Sequence, residues 1–378
     1  MRRTLVAALA VLSVGAAAPA VADPQSTPNG PWPGENPPNI AALRSYEQLW
    51  STLEAIEGRA QGAFELAPAP LKSNTGREIP VVTIGDGPTG LMIISQQHGN
   101  EYVVSEAMIE LIRDLSGNSV EDRAARDALT VTIVPRVNVD GFDADVQDIF
   151  GNTPPWRQNY DPSCTVSPCD PFYFRGRGYD INRYHSPTPN PFDHPYLPGD
   201  DNLNPVPEAI AMRLLYEEHQ PEIVIDFHHQ GSYVDADGQL ITGSTMWPNA
   251  VDTAAELGIL PEFEEAITLS KRVVSTMVTE LEQYGYANIT RYPGTEVPGI
   301  ARNAYGLLGA GSVLFEMRGG IYTQSNGYIT KTAYQAAKSV VAAAADGSLF
   351  TASTDPADNL PDRGPFISDP TPEGPEEE

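Results

Sequence analysis

The chain has 378 residues, 41% of them hydrophobic and 19% charged, with 35 Pro and 32 Gly. That is enough to enclose a large core with long loops, and it excludes a peptide, a fibre or a wholly disordered chain. Lys and Arg total 23 against 50 Asp and Glu, a formal net charge of -27 that repels phosphate backbones and argues against a nucleic-acid partner.

Taken in chain order, Arg2 and Arg3 precede an apolar stretch from Leu5 to Ala18, and Ala20-Val21-Ala22 supplies small residues at a cleavage site. Residues 1–22 are therefore expected to be a signal peptide, directing a secreted or periplasmic protein. No apolar run of about 18 residues follows, so the mature chain is expected to have no membrane partner. Its removal leaves 21 basic against 50 acidic side chains. Residues 23–38 hold six prolines and read as an extended lead-in.

One domain is expected over 39–350. The spacing predicts a helix over 40–57, strands at Ile79–Ile84 and Leu91–Ser95 lying side by side, a helix at Glu101–Leu115 and a strand at Leu129–Val134. After a long irregular stretch the rhythm resumes. Helices are expected at Pro207–His219, Glu262–Tyr284 and Tyr328–Ala345, with strands at Ile223–Phe227 and Ser312–Glu316. The fold class is α/β: a mixed, mainly parallel central sheet with helices on both faces and long active-site loops. Gly141 to Pro205 contains eleven prolines and is the loop region where ligands of such sheets gather. Residues 351–378 form an acidic, Pro-rich tail expected to be disordered; Ala352 to Glu378 carries six prolines, eight acids and one base. Cys164 and Cys169 are the only cysteines, and export makes a disulfide between them the expected state.

His98 and Glu101 stand three residues apart where a strand gives way to a helix, a spacing at which one metal ion takes both. A catalytic zinc needs a third ligand at another strand end, and Ile223-Val224-Ile225 runs directly into Asp226-Phe227-His228-His229; His228 is preferred over His229. Glu316, inside the apolar run Val313-Leu314-Phe315, is costly there unless it pairs with Arg318 or serves a site as a general base. Arg157 and Asp180-Ile181-Asn182-Arg183 lie in the long loop region, where arginines beside a metal suit a substrate carboxylate.

In this order the pieces resemble the zinc carboxypeptidases of the carboxypeptidase A and B type. They are His98 to Glu101, Asn138-Val139-Asp140-Gly141, Trp156-Arg157, Asp180 to Arg183, Asp226 to His228 and Phe315 to Arg318. The resemblance implies one zinc per chain on His98, Glu101 and His228, with Glu316 taking a proton from the attacking water. It implies Arg157 at the oxyanion, Asn182 and Arg183 on the substrate's terminal carboxylate, and Asp180 orienting His98. It also implies an active-site tyrosine, for which Tyr292 is preferred over Tyr305, and a pocket-floor residue, for which Arg302 would favour acidic C-terminal side chains.

The expected function is that of an exported, monomeric zinc metallocarboxypeptidase releasing single C-terminal amino acids from peptides or proteins. The alternatives are a zinc amidohydrolase of the same fold acting on cell-wall peptides or N-acyl amino acids, and a non-catalytic protein that binds peptide carboxylates.

Overall fold

The computed structural model describes residues 43–143, 155–164, 169–170, 177–197, 202–285, 287–318 and 322–366. The expected signal peptide, the lead-in and residues 367–378 lie outside them. In chain order the elements are α1 (Tyr46–Glu57), β1 (Phe64–Pro68), β2 (Pro80–Ile84), β3 (Thr89–Ser95), α2 (Val103–Leu115), α3 (Val120–Ala128), β4 (Leu129–Val134) and α4 (Val139–Asp143). There follow α5 (Pro207–His219), β5 (Ile223–Gln230), β6 (Gly243–Met246), α6 (Val251–Leu257), α7 (Leu260–Glu282), β7 (Ile289–Arg291), α8 (Ala301–Leu307), β8 (Gly311–Arg318), α9 (Tyr322–Ala345) and α10 (Asp355–Asp358).

The strands form one eight-stranded mixed sheet in the order β1-β2-β4-β3-β5-β8-β6-β7. Strands β4, β3, β5 and β8 run parallel at its centre, so their carboxyl ends open on one edge. Side chains alternate between two apolar layers, as a pleated strand requires. Leu91, Ile93, Ile223, Ile225, Phe227, Val313 and Phe315 join α2, α7 and α9 in the larger core. Met92, Ile94 and Val224 join α5, Ala301 and Tyr305 on the opposite face. The same alternation carries Asp226 and His228 along the Val224 face of β5. The register sets His228 opposite Glu316 on β8.

Two expectations are corrected. Strands β2 and β3 are not neighbours, because β4 lies between them, antiparallel to β2 and parallel to β3. The short link between β2 and β3 passes across the start of β4, where a Cβ on Gly85 would strike the Leu129 carbonyl oxygen and one on Gly87 the Ala128 carbonyl carbon. Those glycines permit a crossing that hydrophobic runs do not reveal. The expected tail also begins later than residue 351. Ala357 is buried and its N–H donates to Ser275 Oγ of α7 at 3.2 Å, while Lys271 pairs with Asp358 at 2.6 Å. Residues 361–363 then hydrogen-bond to Arg291 of β7, at the open end of the sheet. Few apolar side chains are needed for this, since the backbone supplies the pairing.

Candidate active site

Beyond β3 the chain turns sharply. Gln96 has φ 52°, a left-handed conformation uncommon outside glycine. Its amide fixes the turn: Nε2 donates to Gly99 O at 3.0 Å and Oε1 accepts from Arg136 Nε at 2.9 Å. Gly99 is required by crowding, as a Cβ there would strike the Gly141 carbonyl carbon. Asn138 of the Asn-x-Asp-Gly segment braces the same place, accepting from Gly141 N at 2.7 Å and donating to Arg157 O at 3.0 Å.

This turn presents His98 and Glu101 to His228. Glu101 Oε1 lies 2.7 Å from His98 Nδ1, and its Oε2 lies 2.7 Å from His228 Nδ1. The two Nδ1 atoms are 3.1 Å apart, close to the spacing of two nitrogens on a tetrahedral zinc, roughly 3.4 Å. Each outward Nε2 is held by a carboxylate: His98 by Asp180 at 2.9 Å and His228 by Asp226 at 2.8 Å. Both imidazoles thereby keep Nδ1 for the centre, the arrangement of metal-binding histidines. Burial alone would lower the pKa of His228, yet Asp226 and Glu101 raise it well above the usual imidazole value. Burial would likewise raise Glu101, but His98 and His228 hold its carboxyl well below the ordinary range. The ligand atoms of His98, Glu101 and His228 all lie within 4.8 Å of one another, and this donor set fits zinc. His229 is different: its backbone N–H donates to Glu101 Oε2 at 3.1 Å, and burial pushes its imidazole down to about 4.

Asp226 is a partner that the motif reading passed over, although its place two residues before His228 puts both on one strand face. Asp226→Asn should weaken zinc affinity about 10- to 100-fold, measured by competition with a chromogenic chelator; affinity within twofold of wild type would remove Asp226 from this role.

Glu316 lies on the same face as His228. It is 8% exposed, and among the described residues its Oε2 is without a hydrogen-bond partner. Burial is the main cause raising its carboxyl to about 8; His228 opposes this and Glu101 adds to it. The alternative pairing with Arg318 is not formed: among the described residues Arg318 makes no ion pair, and its guanidinium lies 5.6 Å from the Tyr328 ring centroid.

The cations gather around Asp180. Arg157 Nε donates to its Oδ2 at 2.9 Å, with Nη1 3.6 Å from Glu101, and Arg183 Nη1 stands 3.8 Å from the same Oδ2. Asn182, beside them, is buried. Its Nδ2 lies 3.1 Å from His228 Nε2 and 3.3 Å from Asp226, and its Oδ1 accepts from Ala301 N at 2.8 Å. The buried amide is thus satisfied at both ends, on the outer side of the metal cluster. Of the two tyrosines, Tyr305 is buried with its hydroxyl 3.1 Å from His185 Nδ1. Tyr292 is only partly covered; burial and then the Glu316 charge raise its phenol. Arg302 is 1% exposed, donating to Asn249 Oδ1 at 3.1 Å and Thr295 O at 2.8 Å. Burial pushes it down to about 10, and among the described residues it has no ion pair.

Two further supports hold the loops, one expected from the sequence and one not. Cys164 and Cys169 are joined by a disulfide, their Cα atoms 5.8 Å apart, as expected. Glu208 was not anticipated: Asn159 Nδ2 donates to its Oε2 at 2.7 Å, and Asn159 in turn exchanges backbone and side-chain bonds with Tyr179. This pins the loop of Arg157 to the segment of Asp180. Burial, then Asp140, pushes the Glu208 carboxyl up to about 7. A raised carboxyl binds its proton more tightly folded than unfolded, so its contribution is lost as pH rises from about 4.5 through about 7. Glu208→Gln should therefore melt higher than wild type at pH 8 by on the order of 3 kcal/mol at most, with no such gain at pH 5. Equal differences at both pH values would exclude Glu208 as the titrating group.

Solved structures share this fold. A metallo-carboxypeptidase from Pseudomonas aeruginosa, in complex with (2-guanidinoethylmercapto)succinic acid, is 18% identical with TM-score 0.52, covering 81% of this chain and 69% of its own. Carboxypeptidase A from Helicoverpa armigera is 17% identical with TM-score 0.54, covering 81% and 74%. Bovine thrombin-activatable fibrinolysis inhibitor, in complex with tick carboxypeptidase inhibitor, is 16% identical with TM-score 0.54, covering 81% and 98%. No curated protein sequence matches the chain. The profile of the M14 peptidases, described as zinc carboxypeptidase, matches residues 70–337, a span that holds the His98, Glu101 and His228 cluster together with Glu316, and the chain belongs to that family.

Proposed function

We propose that this zinc metallocarboxypeptidase is exported and removes single amino acids from peptide or protein C-termini, with a preference for acidic terminal side chains. The observation that supports it best is the placing of Glu316, with a buried and unpartnered carboxylate oxygen, opposite His228 at the edge where the other ligands converge. His98, Glu101 and His228 would hold zinc, which when bound supplies Lewis-acid polarisation of a carbonyl and eases deprotonation of water. Glu316 takes the proton from the attacking water and passes it to the leaving amine nitrogen as the C–N bond breaks. Arg157, turned toward the cluster by Asp180, donates to the oxyanion.

Arg183 grips the substrate's terminal carboxylate, with Asn182 setting the floor of that grip through Ala301 and His228. This gives the enzyme its restriction to free C-termini. Tyr292 closes the other side. Arg302, a buried cation without an acid of its own among the described residues, would be completed by an acidic terminal side chain.

The test is release of free amino acids from matched peptides with free and amidated C-termini. Chelator-sensitive release from free C-termini alone is expected. Release only from cell-wall fragments or N-acyl amino acids would move the enzyme to the amidohydrolase reading, and zinc binding without any hydrolysis would leave a carboxylate-binding protein.

A further inference from the structure

The acidic stretch from Ala352 to Glu378 contains one base, Arg363, and that base lies against the site. Its Nη1 donates to Gln230 Oε1 at 2.7 Å. The guanidinium carbon stands 3.6 Å from the ring centroid of Tyr233 and 4.6 Å from that of Tyr292. Asp362, its neighbour, is occupied by Arg291, and among the described residues no carboxylate pairs with Arg363.

The backbone around Arg363 holds it there from two sides. On one side Arg291 N donates to Pro361 O at 2.7 Å and Arg363 N to Arg291 O at 3.0 Å, extending the sheet beyond β7 immediately before Tyr292. On the other, Gly364 N donates to Val234 O at 2.8 Å and Val234 N to Pro365 O at 3.2 Å. Phe366 lies edge-on to Tyr233, ring centroids 5.4 Å apart, over Gly231, where a Cβ would come within 2.6 Å of its ring. Segment 361–366 thus joins the chain after β5, which carries His228, to the chain after β7, which carries Tyr292. Gln230 extends the connection, its Nε2 donating to Glu316 O at 3.2 Å and Ser244 Oγ at 2.9 Å.

We propose that Arg363 is a positioning residue of the active site, its guanidinium lying against the rings of both Tyr233 and Tyr292 and holding Tyr292 so that the phenol faces bound peptide. A planar cation suits this task, since one face lies on an aromatic ring while its edge donates to the Gln230 amide. The role rests on the reading of Tyr292 as part of the peptide-binding site. It makes segment 361–366 a wall of that site.

The test is a double-mutant cycle on peptide hydrolysis by the zinc-loaded full chain, using Arg363→Met, Tyr292→Phe and both together. Arg363→Met keeps the apolar stem and loses the fork. It is expected to lower kcat/KM about tenfold at unchanged zinc content, with an effect below twofold in the Tyr292→Phe background. Arg363→Lys should recover part of the loss, and melting temperatures taken alongside separate positioning from unfolding. If Tyr292→Phe hydrolyses peptides like wild type, the reading of Tyr292 fails and the proposal with it. If Tyr292→Phe is impaired but Arg363→Met costs nothing, or costs the same factor in both backgrounds, Tyr292 stands and the role of Arg363 is overturned. Should Arg363→Met fail to fold, the same comparison is made with Arg363→Lys.

Discussion

Glu316→Gln is expected to lower kcat on peptides with free C-termini by about 10²- to 10⁴-fold, the usual contribution of a general base. KM should change little, and bound zinc should stay at one equivalent. The amide is close in shape to the carboxyl, so β8 should keep its register with His228, and the buried charge problem is removed rather than created. Burial holds the wild-type carboxyl up to about 8 in the protein alone, so the variant should also be no less stable than wild type. A variant with full activity would show that another group takes the proton, and the assignment of Glu316 would fall. A variant that loses zinc together with activity would point instead to a structural part for Glu316 in holding the cluster.

Much of the architecture could be read from hydrophobic spacing, and the misses have physical causes. The ends of β4 and α5 coincide with the apolar runs because Gly, Pro or charge stops those runs where the backbone turns. Strands β5 and β8 run further than expected, to Gln230 and Arg318. Their last residues are polar, and hydrophobicity ends before the ladder does. Strands β6 and β7 escaped notice because Gly243-Ser244-Thr245 and Ile289-Thr290-Arg291 are short and carry little apolar signal. For the site, metal-ligand spacing made His98, Glu101 and His228 legible, since each motif is local. The partners of those residues are mostly distant in sequence: Asp180 reaches His98 from 82 residues away, and Asn159 reaches Glu208 from 49. Asp226 stood in the Asp226 to His228 segment, and strand parity sets it on the face of His228. Arg363 had one trace, a lone base in an acidic stretch, and composition alone marks that stretch as a disordered tail.

Replacing Arg302 with Gln should abolish the preference for acidic C-terminal residues, cutting the ratio of kcat/KM for terminal Glu over terminal Leu by about 10²- to 10⁴-fold. The size follows from the loss of one member of a buried charge pair, about 3 to 5 kcal/mol, because the substrate carboxylate would then be left unpaired. The protein itself should tolerate the change. Arg302 donates to Asn249 and Thr295 and has no acid of its own among the described residues, and a Gln amide can keep one of those bonds without a buried charge. Stability should therefore hold or rise while selectivity collapses, a combination that a merely structural arginine would not produce. The measurement is a series of peptides differing only in the last residue, with melting curves run in parallel. If wild type shows no preference for terminal Glu or Asp, Arg302 does not face the bound side chain. If wild type has the preference and Arg302→Gln retains it, the selecting cation is Arg183 or Arg157. The remaining pattern, lost stability with unchanged selectivity, would place Arg302 in the scaffold, holding the loop of Thr295.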